Sequence, residues 1–166
     1  MRAEEIRIRE ACSDDIAGLY KILNNAVNQR LVGGSMSSMS HTEVQDWLDQ
    51  KTTDESTFLF SILSKDDFLG YLLVTSIDQR NGHAVFGINL LDSAQGQGVG
   101  QVAMCLAHSF CKKHTSIRKL VLYVRTDNHN AIRLYKNLGY RLVGTLDRHV
   151  RDSGKYLDQH IMEKFL

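Results

Sequence analysis

Gly96, Gly98 and Gly100 fall within five residues of one another in a chain of 166 residues that has twelve glycines and no proline. Their window, in LLDSAQGQGVGQVAM, follows an apolar run ending at Leu91 and precedes an amphipathic stretch over about 98–113. That order reads as strand, short loop and helix. Glycine reaches positive φ without a Cβ penalty, so such a loop turns tightly and leaves its backbone open to close approach. The first N–H groups of the following helix lack partners and sit at the positive end of its dipole. The residues alone leave two readings open: a flexible turn with a helix cap, or a cradle for an anionic ligand such as a phosphate.

The surrounding pattern predicts one α/β domain over residues 1–166. Residues 5–11 alternate apolar and polar, as in a strand. Ser13, Asp14 and Asp15 predict the cap of a helix over about 14–28 that carries Ile16, Leu19, Tyr20, Leu23 and Val27 on one face. The small, polar stretch 33–40 predicts a loop, and Ser40 with Glu43 forms a capping box for a second helix. Strand-like runs at 56–64, 68–77 and 83–91 are separated by hairpin turns at Lys65-Asp66-Asp67 and Gln79–Gly82. Residues 118–125 are largely apolar, which predicts a central strand buried on both faces. A helix over 129–138 stops at Gly139, and 140–146 and 156–165 are closing strands. The predicted order is β-α-α-β-β-β-α-β-α-β-β, without repeat or linker.

Charge and composition exclude several classes. The net charge of +1 is no signature of a nucleic-acid partner. Its distribution is uneven: residues 1–70 carry 7 basic and 12 acidic side chains, whereas residues 112–155 carry 11 basic and 3 acidic. An anionic ligand at the C-terminal part and a cationic one at the N-terminal part fit that split, as does an unevenly solvated surface. Cys12, Cys105 and Cys111 form no CxxC pair, and the latter two read as buried small hydrophobes in one helix. The start, MRAEEIRIRE, lacks the apolar core of a signal peptide, and no run approaches a membrane span. A soluble cytoplasmic protein is the expectation. His41, His83, His108, His114, His129, His149 and His160 show no metal-ligand spacing, so no metal is expected.

Two glycine signatures compete at the window. Gly98-Val99-Gly100-Gln101-Val102-Ala103 satisfies the relaxed dinucleotide pattern G-x-G-x-x-A, and Asp127 follows the next strand. A nicotinamide domain needs further β-α-β units, however, and only 39 residues follow Asp127. A phosphate-binding P-loop is excluded because no G-K-[ST] occurs there. Gln95-x-x-Gly98-x-Gly100 instead resembles the Q/R-x-x-G-x-G/A motif of the GNAT superfamily of N-acetyltransferases. Downstream, VRTDNHNAIRLYKNLGY resembles the superfamily's second motif, with Asn128, Ala131, Tyr135, Gly139 and Tyr140 in register. The tail Gly154-x-Tyr156-x-Asp158-x-x-x-Met162 is similar to the ending of small-amine, amino-acid and ribosomal-protein N-terminal acetyltransferases.

This resemblance implies a GNAT fold: a mixed, mostly antiparallel twisted sheet of about seven strands with about four helices. It implies acetyl-CoA as donor, held by Gln95, Gly96, Gln97, Gly98, Val99 and Gly100 at the pyrophosphate. Leu90 and Leu91 would pair with the pantetheine arm and stabilise an oxyanion, and Asn128 would help hold the cofactor or serve as a helix cap. Tyr135 matches the position of the acid that protonates the leaving thiolate; its helix face would also make it a core aromatic. Relatives often carry a glutamate base in an A-E-x-G pattern. Here Ala84-Val85-Phe86-Gly87 puts valine in that place, so no base residue is assigned and a water-relayed proton is expected. His83 reads as an exposed turn residue and His129 as a solvated first-turn residue. The expected function is acetyl transfer to the primary amine of a small molecule (amino acid, amino sugar or polyamine). The alternatives are acetylation of a protein N-terminus and a catalytically silent acyl-CoA sensor. Residues 30–40 and the two N-terminal helices would set the acceptor, with a homodimer as the assembly.

Overall fold

The computed structural model describes residues 5–32 and 38–166. Seven strands form one sheet: β1 (Ile6–Glu10), β2 (Phe58–Ser64), β3 (Asp67–Asp78), β4 (His83–Leu90), β5 (Lys119–Arg125), β6 (Arg141–Asp152) and β7 (Lys155–Phe165). Their spatial order is β1-β2-β3-β4-β5-β7-β6. Every neighbouring pair is antiparallel except β4 and β5, which run parallel and are joined through a helix, as a parallel pair requires.

Among the described residues five α-helices flank the sheet: α1 (Ile16–Leu23), α2 (Ala26–Val32), α3 (His41–Thr53), α4 (Val99–His114) and α5 (His129–Asn137). The helix expected over 14–28 is two helices. Asn25 divides them, its Oδ1 accepting from the N–H groups of Val27 and Asn28 (2.9 and 3.0 Å) as an N-cap does. Most of the loop expected at 33–40 lies outside the described residues, but the Ser40–Glu43 capping box forms, with Ser40 N–H donating to Glu43 Oε2 at 2.7 Å.

Two cores sandwich the sheet. One face buries Leu19 and Ile22 of α1 and Val44 and Leu48 of α3 against Leu59 and Tyr71. The other packs Ala103, Met104 and Ala107 of α4 onto Phe60, Leu72, Phe86, Leu120 and Leu122. Each such aliphatic side chain stabilises by about 2 kcal/mol. β5 is central, as expected, but Tyr123 is half exposed, so one of its faces is only partly covered. Cys111 is buried; Cys105 is exposed, contrary to the expectation, because it falls on the solvent side of α4.

The start of α1 is fixed differently from the expected Ser13 cap. Asp15 is 2% exposed and turns back to accept from Cys12 N–H (2.9 Å). It also accepts from Ser61 Oγ (2.6 Å) of β2 and from both ends of the Arg9 guanidinium (2.7 and 2.9 Å) of β1. Burial raises the Asp15 pKa, and the hydrogen bonds from Arg9, Ser61 and Cys12 more than offset that, so it lies below the ordinary 3.8. This stabilisation is present above the unfolded-state pKa and disappears as pH falls through the folded one. Asp15→Asn should cost about 3 kcal/mol at pH 7 and less at pH 3, below the unfolded-state value, measured by urea unfolding. An equal gap at both pH values would contradict the ion-pair account.

Candidate active site

The parallel pair β4–β5 is short. Only His83–Lys119, Ala84–Leu120 and Val85–Val121 are in register. Beyond Val85 and Val121 the strands part, while β4 continues along β3 to Leu90 and β5 along β7 to Arg125. The result is a wedge whose β4 wall carries unpaired backbone. Antiparallel residues alternate between pairing with the neighbour and pointing away from it. Leu91 N–H donates to Leu69 O across β3 (2.8 Å), so Asn89 and Gly87 also face β3, whereas Ile88 and Leu90 face the wedge. The expectation for Leu91 is therefore corrected: its C=O also accepts from Ala94 N–H (2.8 Å), leaving it no free backbone group. Ile88 takes its place beside Leu90.

The glycine loop closes the wedge at its end. A single 3-10 turn, Asp92–Ala94, leads to Gly96 (φ +70°) and Gly98 (φ +80°), and Gly98 is the N-cap of α4. No side chain caps this helix, and its first internal bond runs from Val102 N–H to Gly98 O (3.2 Å). The N–H groups of Val99, Gly100 and Gln101 thus have no helical acceptor. A Cβ on Gly96 or Gly98 would meet nothing within 4 Å, so the backbone there is open. Gly100 differs: its Cβ would come within 3.2 Å of Leu134 Cδ2 and 3.6 Å of Leu90 Cδ1, so this glycine lets α5 and β4 pack against α4. Val99 is buried, and the amides of Gln95 and Gln97 fold back onto Leu90 O and Ser93 O. A ligand at the loop meets backbone donors at a helix N-terminus, the donor set that suits a pyrophosphate.

Across the wedge, α5 begins at Asn128, whose Oδ1 accepts from Ala131 N–H (3.2 Å), so the capping role is present. It ends in a Schellman motif: Tyr140 N–H bonds Tyr135 O (2.9 Å), Gly139 N–H bonds Lys136 O (3.0 Å), and Gly139 has φ +85°. This turn folds Tyr140 beside Tyr135, their ring centroids 5.8 Å apart. Tyr135 is 8% exposed, and burial pushes its pKa up to about 12. Its hydroxyl makes no hydrogen bond to any described residue. No fully enclosed side-chain N or O in the described residues lacks a partner, so this hydroxyl stands where solvent or a ligand reaches it. Behind it, Tyr140 Oη and His108 Nε2 are 3.0 Å apart in the core.

The opposite face of β4 presents Val85, Gly87 and Asn89. A Cβ on Gly87 would meet nothing within 4 Å, so this side is open. Asn89 stands opposite Tyr71 in the β3–β4 register, and burial raises the Tyr71 pKa. Across the mouth lies α2, tied to both walls. On the β4 side Asn28, 6% exposed, donates to Leu90 O (3.4 Å), and Asn25 donates to Asp92 Oδ2 (3.1 Å). On the β5 side Arg125 Nη1 donates to Arg30 O (2.9 Å) and to Asp152 Oδ2 (2.8 Å), and its Nε and Nη2 reach Asp127 (3.0 and 2.7 Å). Sequence reasoning missed Asn28 and Arg125. A charged residue ending an apolar strand was the available signal for Arg125. Among the described residues Asp15, Glu43, Asp54, Asp78, Asp127, Asp152 and Glu163 are held below the ordinary carboxylate pKa by their hydrogen-bond partners, so none of these seven is poised as a base near neutral pH.

The remaining marked residues are structural or peripheral. Asp158 of the tail motif accepts from Arg148 N–H (2.7 Å), fixing the irregularity of β6 between Leu146 and Val150. His129 is exposed, and His83 is half-buried with Asp78 at 3.6 Å. No cluster of three His, Cys, Asp or Glu side chains suited to a metal occurs among the described residues. No described helix is long and apolar enough to cross a membrane. A groove of about 370 Å³ between β1 and α4, lined by Ile6, Ile8, Phe60, Leu106 and Phe110, lies near the other edge of the sheet.

A family model described as an acetyltransferase (GNAT) domain matches residues 5–141. The spermidine N(1)-acetyltransferase of Escherichia coli is 25% identical over 154 residues, 93% of this chain and 82% of that protein. The mycothiol acetyltransferase of Actinosynnema mirum is 34% identical over 98 residues, 59% of this chain, and the match spans 31% of that relative's length. Among solved structures, the spermidine N-acetyltransferase of Vibrio cholerae in complex with CoA and spermine superposes with a TM-score of 0.92 at 19% identity, covering 98% of this chain and 96% of that one. A ribosomal-protein alpha-N-acetyltransferase in complex with coenzyme A gives 0.90 at 19% identity, covering 98% and 94%.

The buried pair behind Tyr135 yields a test of its own. Burial, with a smaller contribution from the Lys164 charge, pushes the His108 pKa down to about 4 from 6.5. Between those values the unfolded chain binds more protons, so stability should fall as pH drops from 6.5 to 4, by about 3 kcal/mol in all. His108→Gln should remove that step in urea unfolding followed over this range; an unchanged step would place the titration elsewhere.

Proposed function

The chain belongs to the GNAT acetyltransferase family, and on that premise we propose that it transfers an acetyl group from acetyl-CoA to the primary amine of a small molecule. The observation that carries this reading is the wedge itself: the unpaired backbone of Ile88 and the open Leu90 N–H on one wall, and the free Tyr135 hydroxyl held by α5. Bound acetyl-CoA supplies an activated acetyl thioester. The Val99, Gly100 and Gln101 N–H groups and the open backbone from Gly96 to Gly98 bind its pyrophosphate. Ile88, through its unpaired backbone, and Leu90, through its N–H, line the pantetheine arm as a strand would. Asn128 caps α5 with its Oδ1, and its amide N–H groups have no partner among the described residues, which leaves them for the same ligand.

Leu90 N–H is the donor for negative charge developing on the reacting carbonyl oxygen. Its own C=O is occupied by Asn28 and Gln95, which fixes the orientation of this peptide. Tyr135 gives its proton to the departing sulfur; burial keeps the phenol protonated well above neutral pH. The amine's own proton leaves through water, since Val85 occupies the glutamate position and no raised carboxylate adjoins it. The acceptor enters on the face of Gly87 and Asn89, beneath α2. A helix tied across the mouth favours a small amine over a folded polypeptide terminus, and relatives that act on spermidine support the same class.

Tyr135→Phe should lower kcat on the order of 10²-fold and leave acetyl-CoA affinity unchanged by calorimetry. Full turnover in that variant would refute the acid role. Gly98→Arg should abolish CoA binding with a stability loss of only about 1–2 kcal/mol for the left-handed position. Retained affinity would refute the pyrophosphate site.

A further inference from the structure

At the end of β5, polar side chains from β5, α2, β6 and β7 meet, and nearly all are paired. Arg125 is satisfied by Asp127, Asp152 and Arg30 O, and Arg30 Nε lies 3.8 Å from Asp152. Gln159 is the exception. It stands directly opposite Arg125 in the β5–β7 register, so the two side chains share a face. Gln159 is 9% exposed, yet its amide has no hydrogen-bond partner among the described residues. Since no fully enclosed side-chain N or O there is orphaned, the small exposed part of Gln159 is its amide end. Its tip therefore holds a donor and an acceptor that no protein group uses and that a ligand can take over from solvent.

We propose that Gln159 is an acceptor-binding residue that pairs with a second polar group of an elongated amine. The proposal rests on the acetyl-transfer reading and deepens it by naming the acceptor's shape. β5 forms one wall of the wedge, and β7 lies one strand spacing, about 5 Å, beyond it. An acceptor whose amine reacts between β4 and β5 therefore brings a hydroxyl, amide or second amine to Gln159 when that group lies about 10 Å along the molecule. The Asp127–Arg125–Asp152 cluster holds α2 over this path and is itself fully engaged. Gln159 is left as the group with donor and acceptor capacity to spare.

The test compares 6-amino-1-hexanol with n-hexylamine, which differ by the terminal hydroxyl alone, with spermidine as a third acceptor. The wild type should show kcat/KM about 10-fold higher for the amino alcohol, the worth of one hydrogen bond. Gln159→Leu should bring that ratio to about 1 by raising the KM of the amino alcohol, with the calorimetric Kd for acetyl-CoA unchanged. Its Tm should stay level or rise by about 2 °C, because an unpaired polar group has been removed. An unchanged ratio in Gln159→Leu, no discrimination in the wild type, or a marked fall in Tm would each overturn the proposal. No turnover of any of the three amines by a wild type that binds acetyl-CoA would overturn the elongated-amine proposal, whereas no binding of acetyl-CoA by calorimetry would overturn the acetyl-transfer reading itself.

Discussion

Two parallel strands that stop pairing after Val85 and Val121 set the terms for the rest of the molecule. A sheet normally satisfies its own backbone, and unpaired N–H and C=O groups inside a fold demand another partner. β4 and β5 each keep one neighbour, β3 and β7, so the parting costs neither strand its place in the sheet. It leaves a short row of backbone groups, those of Ile88 and the Leu90 N–H, for an extended ligand. A thioester carrier with amide groups along its arm is a chemical match to such a row.

Around the wedge, each flanking element is held by its own local chemistry. Gly98 in the left-handed region starts α4 with its N–H groups free, and the Schellman turn at Gly139 sets Tyr140 against Tyr135. α2 is tied to Leu90 and Asp92 on one wall and to Arg125 on the other. A change in α2 therefore bears directly on the peptide that faces the reacting carbonyl. Donor and acceptor sides share Leu90, whose carbonyl is taken by Asn28 from α2 and by Gln95 from the glycine loop.

What the sequence revealed was local. The capping box at Ser40, the helix stop at Gly139 and the strand–loop–helix order at Gly96–Gly100 depend on residues within a few positions of one another. Val85 in place of a base was likewise readable from one strand. What escaped depends on register and distance along the chain. Whether Leu90 or Leu91 faces the wedge is decided by which of them bonds Leu69 of β3, and a shift of one residue reverses the answer. Asp15 was readable as a cap but not as the partner of Arg9 and Ser61. Asn25 carried the signal that divides α1 from α2, an asparagine before a helical stretch, whereas Gln159 gained meaning only once its neighbours were seen to be paired.

The central claim is that the parted strands and the free end of α4 bind acyl-CoA through backbone N–H groups. Residue-resolved amide hydrogen exchange with and without saturating CoA tests it most directly. The account predicts new protection at Ile88, Leu90, Val99, Gly100 and Gln101, and none at Leu91, whose N–H is already bonded within the sheet. Protection confined to the β1–α4 groove, or no change at Ile88 and Leu90, would contradict it.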